Sequence, residues 1–403
     1  MKRATVRWLD SNIGRPICLI LTMHRKIRDI LARNAKPYVK PSKILFIKLI
    51  EQGSTVLAYP ALKRAGEFVG VDNVYFLVFT KNRPILDLLG AVPPSNVIEI
   101  DPRSFISFAR TAVLALREIR RRKIDAVIDM EFFARASAIL SYLSGASKRA
   151  GLHLFASDGP YTGNLFTHKM VYNPYIHTRV YFVSLVEALK HAPAAANNPM
   201  IFKVPEAEES VPCFSPGEDE KAALIMKLGG SDRGLPGRPI IILNPNISDL
   251  IPMRRWPQDN FIRLGGLIRK AFPEATIVIT GTEDEKEGAG VVAGGIEGAI
   301  SLAGITSLRE LLTLYCVGEL LVTNDSGPAH FASLTPVKAI ILFGPETPAL
   351  YGPPDQAAEV ISTDLVCSPC VNVCNQRKTI CQLGTCMKDI KVEDVFSTLK
   401  RLL

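Results

Sequence analysis

The chain encodes an α/β protein made of two Rossmann-like domains, each built on a parallel sheet. Three observations predict this. Short apolar runs alternate with longer amphipathic stretches in both halves, the signature of repeated βα units. The segment from His191 to Gly217 breaks that alternation and is rich in Ala, Pro, Asn and Glu, as an interdomain connection would be. The 403 residues are also enough for two domains, each with its own core. In open parallel sheets ligands sit beyond the carboxyl ends of the strands, so two facing domains with a cleft between them are expected. The expected divisions are a basic N-terminal extension over 1–42, a first domain over 43–205 and a second over 215–403.

Strands are expected at Ile44–Lys48, Val74–Phe79, Val97–Ile100 and Ala126–Met130, all short apolar runs suited to a sheet buried on both faces. The second half repeats the pattern at Ile240–Leu243, Thr276–Thr280, Leu320–Thr323 and Ala339–Phe343. The clearest helix runs from Ser104 to Lys123. Its apolar positions, Phe105, Phe108, Ala112, Leu116 and Ile119, follow helical spacing, and its Arg-rich end suits a helix C-terminus. Further helices are expected over Asp259–Ala271 and Leu308–Tyr315.

Composition narrows the function. Apolar residues make up 47% and charged residues 22%, which describes a folded globular chain. The net charge of +9 is confined to the start: residues 1–43 hold 11 Lys/Arg and two acids, while the other 360 residues balance 37 against 37. The body therefore has no general pull on nucleic acid, and no nucleic-acid partner is expected. No apolar run reaches the roughly 18 residues needed to cross a bilayer. Ile17–Met23 is short for a signal segment and lacks a cleavage site. The readings of residues 1–43 are a basic, partly amphipathic arm resting on an anionic membrane surface, or else an ordinary helix packed on the body or a poorly ordered tail. A cytoplasmic location, peripheral on the inner face of the membrane, is the corresponding expectation.

The densest run of signals is Leu321–Pro348, LVTNDSGPAHFASLTPVKAIILFGPETP. A buried strand leads into Asp325-Ser326-Gly327-Pro328, which offers a cap residue, a glycine and a proline suited to a first helical turn. A helix start carries unpaired N–H groups and the positive end of a dipole, and both attract a diphosphate. His330 falls within that first turn. Asn244-Pro245-Asn246 ends another strand and is followed by Arg254-Arg255-Trp256-Pro257. Guanidiniums there suit phosphate oxygens. No Asp-x-Asp pair is present to hold a divalent metal, so metal-independent chemistry that requires no cofactor is expected. Five of the eight cysteines lie between Cys367 and Cys386. Their C-x2-C-x3-C-x6-C-x4-C spacing does not match a zinc ribbon, which leaves zinc or reduced thiols as alternatives.

NDSGPAH followed by LFGPETP resembles the donor-site signature of the heptosyltransferases of glycosyltransferase family 9. Ile44–Leu62, Asn244–Pro257 and Cys367–Val395 fit the same family in the same order, so the resemblance covers about residues 43–403. It implies a GT-B architecture, with the acceptor on the first domain and a nucleotide-diphospho-sugar, such as ADP-heptose, on the second. It implies donor contacts from Asn246, Ser248, Arg254, Glu283, Asp325, Ser326, Gly327 and His330. It further implies inverting transfer of a sugar, such as heptose, to a lipopolysaccharide-type glycolipid or other saccharide. The family places a Gly-Asp pair after the first strand, where the aspartate is the general base. Here Ser54 follows Gly53, and Glu51 is the nearest carboxylate and the nominated replacement. A solvated loop acid and a weakly active or inactive sugar-nucleotide-binding protein are the alternative, and a nucleotide-sugar epimerase is a third. Lys48, at the strand end, is expected either to meet a phosphate or to be an ordinary surface lysine.

Overall fold

The computed structural model describes residues 10–31, 37–155, 161–195, 198–207, 210–229, 238–247, 251–353, 358–374, 377, 379 and 381–403. The chain forms two compact units, Met1–Glu208 with Val373–Gln376, and Glu209–Asn372 with Arg377–Leu403.

The first unit carries a six-stranded sheet of β1 (Ile44–Ile47), β2 (Val74–Phe79), β3 (Val97–Ile100), β4 (Ala126–Asp129), β5 (Lys148–Leu152) and β6 (His168–Met170). The second carries β7 (Ile240–Asn244), β8 (Thr276–Ile279), β9 (Ile300–Ser301), β10 (Leu320–Asn324), β11 (Lys338–Leu342) and β12 (Ala358–Ile361). Their orders are β3-β2-β1-β4-β5-β6 and β12-β11-β10-β7-β8-β9, and every pairing is parallel. Each sheet thus changes winding direction once, between β1 and β4 or between β7 and β10. That switch point is where an open sheet leaves a crevice at its carboxyl edge.

The central strands are apolar except at their carboxyl ends, because helices cover both faces. All four residues of β1 and all five of β7 and β10 are buried. The helix expected over 104–123 spans Phe105–Arg121, and Ser104 Oγ caps it by accepting from the Ser107 N–H at 3.0 Å. The helices Gln258–Ala271 and Leu308–Val317 follow the expected pattern. Sequence reading missed β5, β6, β9 and β12, which are short and carry Lys, Arg, His, Ser or Glu within them.

Residues Gly14–Leu31 form a helix docked on the first unit. Cys18 packs with Ala138, Tyr142, Leu165 and Phe166. Thr22 Oγ1 accepts from the Asn164 N–H at 2.9 Å, and Arg25 Nη1 donates to the Asn164 and Phe166 carbonyls at 2.8 and 2.6 Å. The opposite face leaves Ile20, Met23, Ile27, Ile30 and Leu31 exposed. This stretch is therefore a packed helix whose outer side is apolar. Among the described residues no helix is long and apolar enough to cross a membrane.

Candidate active site

In the second unit the switch point is held by amide side chains. Asn244 Nδ2 donates to Thr280 Oγ1 at 3.0 Å, and Asn246 Nδ2 donates to the Thr280 carbonyl at 2.9 Å. Asn324 Nδ2 donates to the carbonyls of Pro245 and Asn246 at 3.2 and 3.3 Å, while its Oδ1 accepts from the Trp256 N–H at 2.9 Å. Trp256 is wholly buried, and its Nε1 donates to the Ile390 carbonyl at 3.0 Å. These bonds tie the loop after β7 to the ends of β8 and β10. They also set the position of Arg254, two residues before the anchored tryptophan. The side-chain amide of Asn246 is thus engaged within the protein.

Arg254 Nη1 donates to Asp325 Oδ2 at 3.2 Å, with the two side chains 14% and 5% exposed. Arg254 Nε is buried and finds no hydrogen-bond partner among the described residues. A buried guanidinium N–H in that state calls for an acceptor. Ser326 is half-buried and occupies the cap position of the helix Gly327–Ala332, yet its hydroxyl caps no helix N–H. It lies instead 3.3 Å from Thr323 Oγ1.

The first-turn amides offer less than the sequence suggests. Pro328 has none, and the Ala329 N–H donates to the Ser326 carbonyl at 3.1 Å. His330 is buried in the same short helix, and Gly327 adopts no backbone conformation that demands glycine. Glu283 stands after β8, its side chain 71% exposed and 3.8 Å from Lys286 Nζ. It lies over Gly304, where φ is +78° and a side chain would collide with it. Strand spacing sets the ends of β8 and β10 about 10 Å apart, so Glu283 is on the rim while Arg254, Asp325 and Ser326 are together. Ser248 lies outside the described residues.

In the first unit β1 and β4 end in a charged cluster. Lys48 is neither a surface lysine nor open to a ligand, because its side chain is fully buried. Its Nζ lies 3.5 Å from Glu131 Oε2 and 3.8 Å from Glu51 Oε2, and it donates to the Ile50 carbonyl at 3.0 Å. Glu131 Oε1 accepts from the Leu49 and Ile50 N–H groups at 2.6 and 3.0 Å, which fixes the loop that carries Glu51. Asp129 Oδ1 in turn accepts from the Glu131 N–H at 3.0 Å. Asp129 is buried, and that burial holds its carboxyl well above the usual carboxylate range, against the hydrogen bonds from Ser137 and Glu131.

Glu51 has φ 66° and ψ 81°, a left-handed conformation that is uncommon outside glycine. Such strain gathers at functional loops. Its side chain is 24% exposed, and Ser54 Oγ donates to its Oε2 at 3.3 Å. Glu51 and Ser54 are therefore in contact, with an ammonium close by. Neither Asp129 nor Glu131 was among the residues expected from sequence. The available signal was their place at the end of an apolar strand.

Among the described residues no disulfide joins the cysteines. Among the described residues no group of three or more His, Cys, Asp and Glu side chains stands ready to hold a metal ion.

The model of glycosyltransferase family 9 (heptosyltransferase) matches residues 113–380. A Campylobacter jejuni lipooligosaccharide heptosyltransferase 2 is 32% identical over 103 residues, 25% of this chain and 31% of that protein. The Haemophilus influenzae lipooligosaccharide heptosyltransferase 2 is 28% identical over 167 residues, 39% of this chain and 47% of the relative. The chain thus spans about a third to a half of the length of these curated relatives. The solved structure of the E. coli ADP-heptose lipopolysaccharide heptosyltransferase II aligns with a TM-score of 0.66 at 18% identity, covering 89% of this chain and 98% of that one. The family 9 glycosyltransferase of Veillonella parvula aligns with a TM-score of 0.68 at 20% identity, covering 90% and 97%. The two parallel sheets are those of the GT-B fold.

Proposed function

We propose that this chain, which belongs to glycosyltransferase family 9, transfers a heptose from ADP-heptose to a hydroxyl of a lipopolysaccharide-type saccharide, with inversion at the anomeric carbon. Residues 215–403 take the donor and residues 43–205 the acceptor. The observation that carries the reading is the Arg254–Asp325–Ser326 group at the β7/β10 switch point, with a buried guanidinium N–H that finds no acceptor among the described residues. A diphosphate oxygen supplies that acceptor, and the Ser326 hydroxyl adds a donor beside it.

Glu51 accepts the proton of the acceptor hydroxyl, whose oxygen attacks the anomeric carbon as the bond to the diphosphate breaks. A carboxylate is the form a base needs, and the Lys48 ammonium stands 3.8 Å from Glu51 Oε2. Charge that develops on the leaving diphosphate is stabilised by Arg254 in a site already organised to meet it. His330, Gly327, Asn246, Ser248 and Glu283 complete the donor side in this reading, with Glu283 the nearest acid to a nucleoside on the rim. No metal is required by these steps. The exposed apolar side of the helix Gly14–Leu31, with Arg15, Lys26 and Arg28 also on that helix, supports attachment to the surface of an anionic membrane.

The test is heptose transfer from labelled ADP-heptose by the wild type and by Glu51→Gln. Transfer by the wild type that the variant loses is the expected result. A second reading, donor binding without turnover, is favoured by Ser54 standing where the family places its aspartate. Donor binding by a wild type that transfers nothing would establish it instead.

A further inference from the structure

The helix Phe105–Arg121 buries one face against the first sheet and leaves the other open. Ala112, Ala115 and Ile119 pack with Leu45, Ile47 and Leu77. On the open side Phe105 and Ile106 are 59% and 79% exposed, and Val113 and Leu114 are half exposed. Arg110, Arg117, Arg120 and Arg121 are exposed as well. Ile106, Arg110, Val113, Arg117 and Arg121 follow one another at steps of three or four residues, so aliphatic and guanidinium side chains interleave along a single stripe. Glu118, the one acid of the helix, is held by Arg121 and Arg122 at 2.7 and 2.5 Å. Arg110 and Arg117 have no acidic partner among the described residues.

The helix Arg135–Leu143 connects this stripe to the helix Gly14–Leu31. Leu140 shares a core with Ala112 and Ile119, and Arg120 Nη2 donates to the Leu143 carbonyl at 2.6 Å. Cys18 packs on Ala138 and Tyr142, and His24 Nδ1 lies 2.8 Å from the Tyr142 hydroxyl. The two amphipathic helices therefore stand on the same side of the first sheet. The helix Phe105–Arg121 also begins just after β3, which puts its apolar end at the carboxyl edge that carries Glu51.

These features select an occupant. Nucleic acid would meet the arginines and leave the aliphatic side chains unused. An apolar protein groove would bury the arginines without partners, at a cost. An anionic bilayer offers phosphate and hydrocarbon within the reach of one side chain, and an arginine can lay its stem on the second while its head stays at the first.

We infer that the outer face of the helix Phe105–Arg121 is a second contact with an anionic membrane surface, acting beside the helix Gly14–Leu31. The inference deepens the membrane attachment proposed above and rests on that reading. Two linked contacts hold more strongly than either alone. They also set the tilt of the first unit, which a single helix leaves free, and so bring the Glu51 edge toward an acceptor anchored in lipid.

Flotation of the full chain tests it, with vesicles of equimolar phosphatidylglycerol and phosphatidylcholine and with phosphatidylcholine alone. Arg110→Gln with Arg117→Gln removes charge from the stripe and keeps a helix-forming side chain, and Ile106→Asp with Leu114→Asp removes its apolar contact. Thermal unfolding verifies that each variant is folded. The wild type should float with the anionic vesicles. Its partition should fall roughly tenfold in the arginine variant, the worth of two basic side chains at such a surface, and at least as far in the aliphatic one, with ADP-heptose binding in solution unchanged in both. Loss in these variants but not in Ile20→Asp with Ile27→Asp would uphold the stripe while removing the other helix. Partition unchanged by either the arginine or the aliphatic pair overturns the inference, and release by Ile20→Asp with Ile27→Asp would then leave the earlier attachment standing. A wild type that floats equally with neutral vesicles overturns the inference, and one that floats with neither overturns both.

Discussion

Lys48 Nζ lies 3.5 Å from Glu131 Oε2, and both side chains are shut away from solvent, at 0% and 6% exposure. This pair joins β1 to the residue just beyond β4 across the switch point of the first sheet. Through the two backbone N–H groups that Glu131 accepts, it also sets the loop on which Glu51 sits.

Removing one partner strands the other as a buried charge, which typically costs about 3–5 kcal/mol. Lys48→Met should therefore lower the midpoint of urea unfolding strongly. Glu131→Gln should cost less than Glu131→Ala, because a glutamine carbonyl can still accept from Leu49 and Ile50. Equal midpoints for the two Glu131 variants would show that those backbone bonds do not matter.

Glu51→Gln should reduce kcat about 100-fold or more, the usual range for a lost general base, while ADP-heptose binding is retained. Ser54→Ala removes a hydroxyl that donates to Glu51 and should reduce kcat much less. A larger loss from Ser54→Ala than from Glu51→Gln would transfer the leading role to the serine.

Much of the donor side could be read from the sequence because its parts are adjacent in the chain. Asp325 and Ser326 follow a strongly apolar strand, and Arg254 precedes a tryptophan that had to be buried. The pairing of Arg254 with Asp325 was not legible, since it depends on β7 and β10 lying side by side. Lys48 and Glu131 were obscured for the same reason: their contact is made by the β1–β4 neighbourhood. Asn246 looks like a ligand-binding amide in sequence, and in the fold its Nδ2 also donates to the Thr280 carbonyl, a contact set by β7 and β8 lying side by side. The edge strands β5, β6, β9 and β12 escaped because a short strand at or near the margin of a sheet needs no long apolar run.

Stability should fall on acidification through a buried histidine. His168 is fully buried, and burial lowers its pKa to about 4 from the ordinary value of 6.5. Its ring lies within hydrogen-bond distance of the His191 carbonyl and Thr167 Oγ1. The unfolded chain binds the proton first, so the contribution is intact above about pH 6.5, declines as the pH drops toward 4 and levels off below that. The loss amounts to about 3 kcal/mol. His168→Gln should flatten the urea midpoint between pH 6.5 and 4, and an unchanged slope would count against this assignment.

The outer face of the helix Gly14–Leu31 gives a separate expectation. Vesicles rich in anionic lipid should carry the full chain in flotation, and Ile20→Asp with Ile27→Asp should release it, since both side chains are more than half exposed. Vesicles of neutral lipid should carry less. Equal flotation of wild type and variant would remove this helix from membrane attachment.

The most direct test of the central claim is calorimetric titration of the full chain with ADP-heptose, comparing wild type with Arg254→Met. Binding by the wild type, weakened about tenfold or more once the guanidinium is gone, is the predicted result, since a charge-assisted contact to phosphate contributes roughly 1.5–3 kcal/mol. Binding of equal strength in both proteins, or none in the wild type while its thermal unfolding shows it folded, would contradict the account.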